Sequence, residues 1–494
     1  MLTLDNVFYR YSEDARPAID GLSFALSRGE MVAVMGANGS GKSTLAHLIA
    51  GILLPTQGRL HVPATTDNDL SVALVFQNPD NQIVGATVER DIAFALENLA
   101  VAADRMRSRV TDAMRRFEIH SLRSRQTMDL SGGEKQRLTL ASATIQPPSI
   151  LVLDEPDSYL DRAGRRLLDD LIADIRKNNQ AMRIIRITQN PKVALACERL
   201  LVLERGKLVA DRVPQKVMAD ADLCLKAGLR GQSSGRSKLI MPDSLLTGKS
   251  RAKSKWEIIA ARRISFAYAD RDALFRQFDF QLKAGEVVGL VGPTGSGKTT
   301  LGLLLCSLIS PTSGTIEYCL ADGTAKADVK PSPMAGIFQQ PERQFFLPTV
   351  GEEVAFGPRN LGHKLSADEI SRFLSMVGLF PPEFIARDPF SLSVGEKRRL
   401  AFAVVLAMYP SFVLFDEPTA GLDGEGVDRF IAIATELKTR GTGLLIISHD
   451  LDVLSQLVDR VLCLQTGRRP RELSVKEFLG DGEKTPSAPV SRDY

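Results

Sequence analysis

The chain has 494 residues, 44% of them apolar and 24% charged, with a formal net charge of +3. That length argues for two or more domains, and the composition is that of globular protein, too near neutral for charge itself to point to nucleic acid. Five scattered cysteines, Cys197, Cys224, Cys306, Cys319 and Cys463, form no Cys-x-x-Cys pair, which argues against a zinc site or disulfide framework and fits a reducing, cytosolic setting.

Met1 to Asp5 lacks the basic head and apolar core of a signal peptide. A short apolar run, Met31 to Met35, then leads into Gly36-Ala37-Asn38-Gly39-Ser40-Gly41-Lys42-Ser43-Thr44, and an apolar helical run follows from Leu45 to Ile52. This strand–loop–helix context is what the phosphate-loop pattern G-x-x-x-x-G-K-[ST] requires. Its glycines let successive backbone N–H groups curl toward phosphate oxygens, and the following helix adds the positive end of its dipole. Lys42 supplies a point charge and Ser43 a hydroxyl for Mg²⁺.

Further along, Leu60 to Val62 reads as a short strand, and Val88 to Leu99 and Asp104 to Phe117 read as helices. The buried strand Ile150 to Leu153 ends in carboxylates, and Arg183 to Thr188 is another strand. Strands alternating with helices predict a parallel α/β sheet with its chemistry at the strand C-termini. A stretch rich in Ser, Gly, Arg and Lys follows and reads as a solvated linker over 229–256, after a first domain over 1–228.

The plan then repeats. Gly292-Pro293-Thr294-Gly295-Ser296-Gly297-Lys298-Thr299-Thr300 sits between the apolar runs Val287 to Val291 and Leu301 to Leu305. Gln77, Ser131 and Asp154 recur as Gln339, Ser393 and Asp416, each displaced by 262 residues. So long a period means duplicated domains rather than a solenoid. The second domain is expected over 257–480, with a disordered tail over 481–494. The longest apolar run, Leu400 to Met408, is too short to span a bilayer, so any membrane association is expected to need a partner.

In the first half Leu130-Ser131-Gly132-Gly133-Glu134-Lys135-Gln136-Arg137 precedes Ile150-Leu151-Val152-Leu153-Asp154-Glu155-Pro156. In the second, Leu392-Ser393-Val394-Gly395-Glu396-Lys397 precedes Phe412-Val413-Leu414-Phe415-Asp416-Glu417-Pro418-Thr419. Both halves thereby resemble the nucleotide-binding domain of ATP-binding-cassette (ABC) proteins, over nearly the whole chain outside linker and tail. The resemblance implies an α/β fold of two P-loop NTPase domains. Each would have a RecA-like parallel-sheet core, an antiparallel β subdomain and a helical subdomain. ATP and Mg²⁺ are the expected ligands.

The roles that follow are those the resemblance implies. Asp154 and Asp416 hold Mg²⁺ with Ser43 and Thr299, and Glu155 and Glu417 polarise the attacking water. Gln77 and Gln339 match the Q-loop, which contacts Mg²⁺ and that water. Tyr11 and Tyr268 match the aromatic residue that stacks on adenine, with a core or surface tyrosine as the competing reading. Gly36, Asn38, Gly39, Ser40, Gly41, Lys42, Ser43 and Thr44 cradle one set of phosphates, and Gly292, Thr294, Gly295, Ser296, Gly297, Lys298, Thr299 and Thr300 the other. Asp161 and Asp423 match the D-loop. In this family two domains pair head to tail, so that Ser131, Gly132 and Gly133, or Ser393 and Gly395, complete the opposite site.

Two departures make the expected sites unequal. His449 stands at the switch position of the second half, but Gln189 stands there in the first, and glutamine cannot carry the positive charge of an imidazolium. The second signature has Val394 where the first has Gly132, and valine adopts φ > 0 only at a cost, a mild expected defect. Pairing collects both departures in the site of Lys42. Hence one strong site and one mainly ATP-holding site are expected.

The stretches after the Q-loops, Asn78 to Val88 and Gln340 to Phe346, resemble the paired ATPases of energy-coupling-factor (ECF) importers fused in one chain. That resemblance implies a peripheral protein on the cytoplasmic face of the membrane. Its partners would be a transmembrane coupling protein and a substrate-capture membrane protein, and the cargo a vitamin or transition-metal ion. No nucleic acid is expected, and the two cassettes are expected to pair within the chain. Asp80 to Val84 and Glu342 to Phe346 are the candidate partner groove, with Gln82 and Gln344 as the residues to substitute. The competing reading is a soluble twin-cassette ATPase acting on ribosomes or nucleic acid.

Overall fold

A computed structural model describes residues 1–13, 16–63, 71–98, 100–157, 160, 162–229, 256–269, 272–327, 329–465 and 470–480. The chain divides into two compact units, Met1–Ser237 with Gly421–Glu425, and Lys238–Ala420 with Gly426–Tyr494. The expected linker falls almost wholly at 230–255 and the expected tail at 481–494, both outside the described residues. Leu229 is buried in the first unit and Trp256 opens the first strand of the second.

The strands of the first unit are β1 (Leu2–Tyr9), β2 (Ile19–Leu26), β3 (Met31–Met35), β4 (Gln57–His61), β5 (Val72–Val75), β6 (Ile150–Asp154), β7 (Arg183–Ile187), β8 (Arg199–Glu204) and β9 (Lys207–Arg212). They form a six-stranded sheet of order β5-β6-β7-β3-β8-β9 and a three-stranded antiparallel sheet of order β2-β1-β4. In the large sheet only the β8–β9 pair is antiparallel. Leu60 and His61 of the expected strand Leu60–Val62 form one end of β4, which leaves out Val62 and starts earlier because its pairing with β1 runs from His61 back to Gln57.

β3 and β6 are buried at every position, because the large sheet is covered on both faces. Alternate residues serve the two cores. Val32, Val34, Ile150 and Val152 pack with Leu45 and Leu48 of the helix Lys42–Ile49 and with the small sheet. Ala33, Met35, Leu151 and Leu153 face the other way, into a core completed by Ile92, Leu96, Val110, Met114 and Leu138 of the helices Val88–Asn98, Ala103–Arg116 and Gly132–Thr144. The period-two alternation of a strand is thus satisfied by two hydrophobic layers.

The second unit repeats the plan with β10 (Trp256–Phe266), β11 (Phe275–Lys283), β12 (Val287–Val291), β13 (Ser313–Leu320), β14 (Ala325–Ala327), β15 (Met334–Ile337), β16 (Phe412–Asp416), β17 (Gly443–Ile447), β18 (Arg460–Cys463) and β19 (Arg471–Ser474). Its sheets run β15-β16-β17-β12-β18-β19 and β11-β10-β13-β14. Helices Val350–Asn360, Ala367–Met376 and Val394–Ala407 stand where the first unit has its three.

The parallel register brings the expected site together. Val34 of β3 and Asp154 of β6 both pair with Ile187 of β7, so three strands end level. Leu290 and Asp416 likewise both pair with Ile447. Among the described residues no helix is long and apolar enough to cross a membrane.

Candidate functional site

The phosphate loop leaves the C-terminal end of β3 and runs into the helix Lys42–Ile49. Its first glycine is required by close approach. A Cβ on Gly36 would lie 2.2 Å from Leu203 O, and one on Gly292 would lie 2.3 Å from Leu464 O. Gly36→Ala is therefore expected to cost about 1–3 kcal/mol, as overpacking does, seen as a lower urea midpoint together with lost ATP binding. Gly39 and Gly295 differ, with φ of +76° and +81° and nothing within 4 Å of an added Cβ. There the left-handed backbone alone explains glycine, and the space beside it is open.

Lys42 Nζ donates to Gly36 O (2.8 Å) and Ala37 O (2.9 Å). Lys298 Nζ does the same to Gly292 O (2.7 Å) and Pro293 O (2.9 Å). Burial holds the Lys42 ammonium below the usual lysine range, against the pull of the Glu155 and Asp154 carboxylates. Burial conversely pushes the Asp154 and Asp416 carboxyls up, opposed chiefly by hydrogen bonds from Ser43 and Thr299. Thr299 Oγ1 donates to Asp416 Oδ2 at 2.6 Å.

Tyr11 and Tyr268 flank these loops. Their hydroxyls lie 3.1 Å from Thr44 Oγ1 and 3.2 Å from Thr300 Oγ1. Each ring is exposed and set edge-on against Tyr9 or Phe266, with centroids 5.0 Å apart. A face of each ring is thus available beside the phosphate-loop helix.

Glu155 and Glu417 follow directly on the buried aspartates, in left-handed conformations with φ of 45° and 50°. Their N–H groups donate to Ile187 O (3.0 Å) and Ile447 O (2.8 Å). Such φ values are strained for a glutamate and aim the carboxylate off the strand axis. Around the carboxylates the two units differ. Gln77 Nε2 donates to Glu155 Oε2 at 3.0 Å, while Gln189 Nε2 donates to Gly36 O at 3.0 Å. In the second unit His449 Nε2 lies 3.4 Å from Glu417 Oε1.

Two expectations need correction. Val394 is not strained. It is the first helical residue after the N-cap Ser393, and Gly132 holds that place after Ser131. Neither is among the positive-φ residues, and both caps keep the full Ser–Glu capping box. The substitution adds an exposed isopropyl group to a helix N-terminus, with no backbone defect. Gln82 and Gln344 are not partner-facing either. Gln82 Oε1 accepts from Phe76 N (3.2 Å), and Gln344 bonds Phe338 N (3.3 Å) and Gly336 O (3.0 Å). They brace the strand ends before the Q-loops, and the exposed large apolar residues there are Val84 and Phe346, 67% and 60% exposed.

Ser131 and Gly132 are exposed, as is Ser393, while Gly395 is buried. Asp423 is buried, and Asp161 lies outside the described residues. Sequence reasoning missed Arg398, a guanidinium only 2% exposed that donates to Glu417 O and to Gln339 O. Its one visible signal was an arginine on the signature helix where the first half has Gln136.

These residues fit a nucleotide triphosphate with a divalent cation. Ser40 Oγ and Ser296 Oγ are buried without hydrogen-bond partners among the described residues, inside loops whose backbone is shaped for phosphate. Each loop also pairs a hydroxyl with a buried carboxylate of raised pKa, a donor set that a cation would satisfy.

The family model described as ABC transporter matches residues 19–158 and again 275–420. The chain belongs to the ABC transporter family. It is an ABC-type ATPase, built from two cassettes of a family that binds and hydrolyses ATP. It is 31% identical over 512 residues to a putative ABC transporter ATP-binding protein of Bifidobacterium longum, covering 93% of this chain and 64% of that relative, so it spans under two thirds of that protein. It is also 31% identical over 496 residues to a putative HMP/thiamine import ATP-binding protein of Bacillus subtilis, covering 94% of this chain and 90% of that one. Among solved structures, an archaeal ribosome recycling factor aABCE1, in complex with a ribosomal stalk protein, shares the twin-cassette fold. The TM-score is 0.63 at 21% identity, over 96% of this chain and 92% of that one.

Proposed function

We propose that this ABC ATPase energises a membrane importer of the ECF type, for a vitamin or transition-metal ion, from the cytoplasmic face. Its partners are a transmembrane coupling protein and a substrate-capture membrane protein. The observation that carries the reading is the pair of apolar side chains, Val84 and Phe346, held outward beside the two Q-loops. Buried carboxylates fix both loops. Asp91 Oδ1 accepts from Val84 N and Gly85 N, each at 2.9 Å, and Glu353 Oε1 accepts from Phe346 N and Leu347 N. A rigid loop with an outward apolar side chain is a docking feature, and in the first unit the same Q-loop reaches the carboxylate of Glu155. The full-length likeness to a relative named for HMP/thiamine import supports the same reading. The likeness to the ribosome recycling factor is one of fold and favours no partner.

The work is done by closure of the cassettes, head to tail within the chain, around two ATP molecules. Lys42 and Lys298 exchange their loop carbonyls for phosphate oxygens, and Glu417 takes the proton of the attacking water while His449 holds that carboxylate in place. Mg²⁺, held by Ser43 with Asp154 and Thr299 with Asp416, would neutralise charge on the phosphate oxygens. The site of Lys298 is the strong one and that of Lys42 mainly holds ATP.

A double Val84→Asp, Phe346→Asp variant, co-expressed with the products of its neighbouring genes, tests the partner assignment. It is expected to leave the membrane fraction while keeping its ATP affinity. Undiminished sedimentation with membranes would contradict the docking surface, and sedimentation of the unaltered chain with ribosomes instead would overturn the importer reading.

A further inference from the structure

Burying a guanidinium is costly unless its donors are used and its charge is met. Arg398 meets these demands through its two terminal nitrogens inside the second unit. Its Nη2 donates to Gln339 O at 2.9 Å, its Nη1 donates to Glu417 O, and the buried carboxyl of Asp416 is an opposite charge acting with it. The two carbonyls belong to the Q-loop glutamine and to the residue carrying the expected general base. Glu417 is also the residue with strained φ, and its N–H is tied to Ile447 O at 2.8 Å. A tie on each side of that α-carbon fixes both flanking peptide planes, and with them the direction of the carboxylate.

The first unit has a different residue at this place. Gln136 stands at the corresponding place on the signature helix, 4% exposed, and its Nε2 is without a hydrogen-bond partner among the described residues. There the Q-loop reaches the glutamate through a side chain, Gln77 to Glu155.

We propose that Arg398 is a positioning residue of the second hydrolytic centre, clamping the main chain of Gln339 and of Glu417 into one piece. The Q-loop and the carboxylate then move together. A shift of that loop redirects the glutamate, which makes Arg398 a second source of inequality between the cassettes beside His449 and Gln189. The proposal rests on the reading of Glu417 as general base.

The experiment uses the full chain in a Glu155→Gln background, so that turnover reports the second centre. Arg398→Gln is expected to lower kcat about 10–100-fold, the scale of a displaced catalytic group, with affinity for a fluorescent ATP analogue changed less than about threefold. Arg398→Lys keeps the charge but not the fork, and is expected to fall between the two with unchanged affinity. Should Arg398→Gln fail to fold, the lysine variant decides by the same criteria. Arg398→Gln combined with Glu417→Gln is expected to be no slower than Glu417→Gln alone, because the clamp acts through that glutamate. Parental kcat in the arginine variants, a loss in affinity as large as that in kcat, or multiplying losses in the double variant would each overturn the clamp. If Glu417→Gln alone leaves turnover intact, the general-base reading fails first.

Discussion

Glu417→Gln is expected to lower steady-state ATP hydrolysis by about 10²–10⁴-fold, the usual cost of removing a general base, while Glu155→Gln leaves most turnover in place. The two glutamates share a strand-end position and a left-handed φ, so position does not separate them. Their neighbours do. Glu417 has an imidazole at 3.4 Å, placed to hold the carboxylate. Glu155 is bonded by an amide, and the residue at the switch position, Gln189, is spent on the carbonyl of Gly36. An amide can orient a carboxylate but cannot follow its charge. Phosphate release from purified full-length chains, each with one substitution, reads the difference directly. Equal losses from the two variants would remove the inequality from the account.

His449→Gln carries the second large effect. It converts the switch residue of the second unit into that of the first, changing only the group that faces Glu417. Turnover is expected to drop about 10²-fold, the scale of a misplaced catalytic group, with ATP affinity nearly unchanged. The reciprocal Gln189→His is expected to raise the residual turnover of a Glu417→Gln chain. A His449→Gln variant with unaltered kcat would show that the imidazole plays no part in the step.

Much of the site was legible because it is local in sequence. A phosphate loop needs eight consecutive residues between a strand and a helix, and an apolar strand ending in Asp-Glu declares its own position. The level ends of β3, β6 and β7 follow from parallel pairing once the strands are found. Side-chain direction was not legible. Gln82 and Gln344 stand beside outward-facing neighbours in sequence, but in each a turn of 3₁₀ helix folds the side chain back on the strand end. The penalty assigned to Val394 assumed a backbone conformation that spacing cannot report. A serine N-cap with a capping box sets that residue as ordinary helix, where valine is tolerated. Arg398 was hidden because its partners are two main-chain carbonyls, 59 and 19 residues distant in the chain. No side-chain pattern records a bond to the backbone.

Removing apolar docking residues, tightening the phosphate loop and releasing Arg398 test separate parts of the account, but its centre is that two bound ATP molecules meet unlike chemistry. Rapid-quench analysis of a single turnover, with labelled ATP loaded on the complete protein, reads this without intermediaries. One of the two bound molecules is expected to be cleaved in the fast phase while the other stays intact. Cleavage of both at the same rate would contradict it.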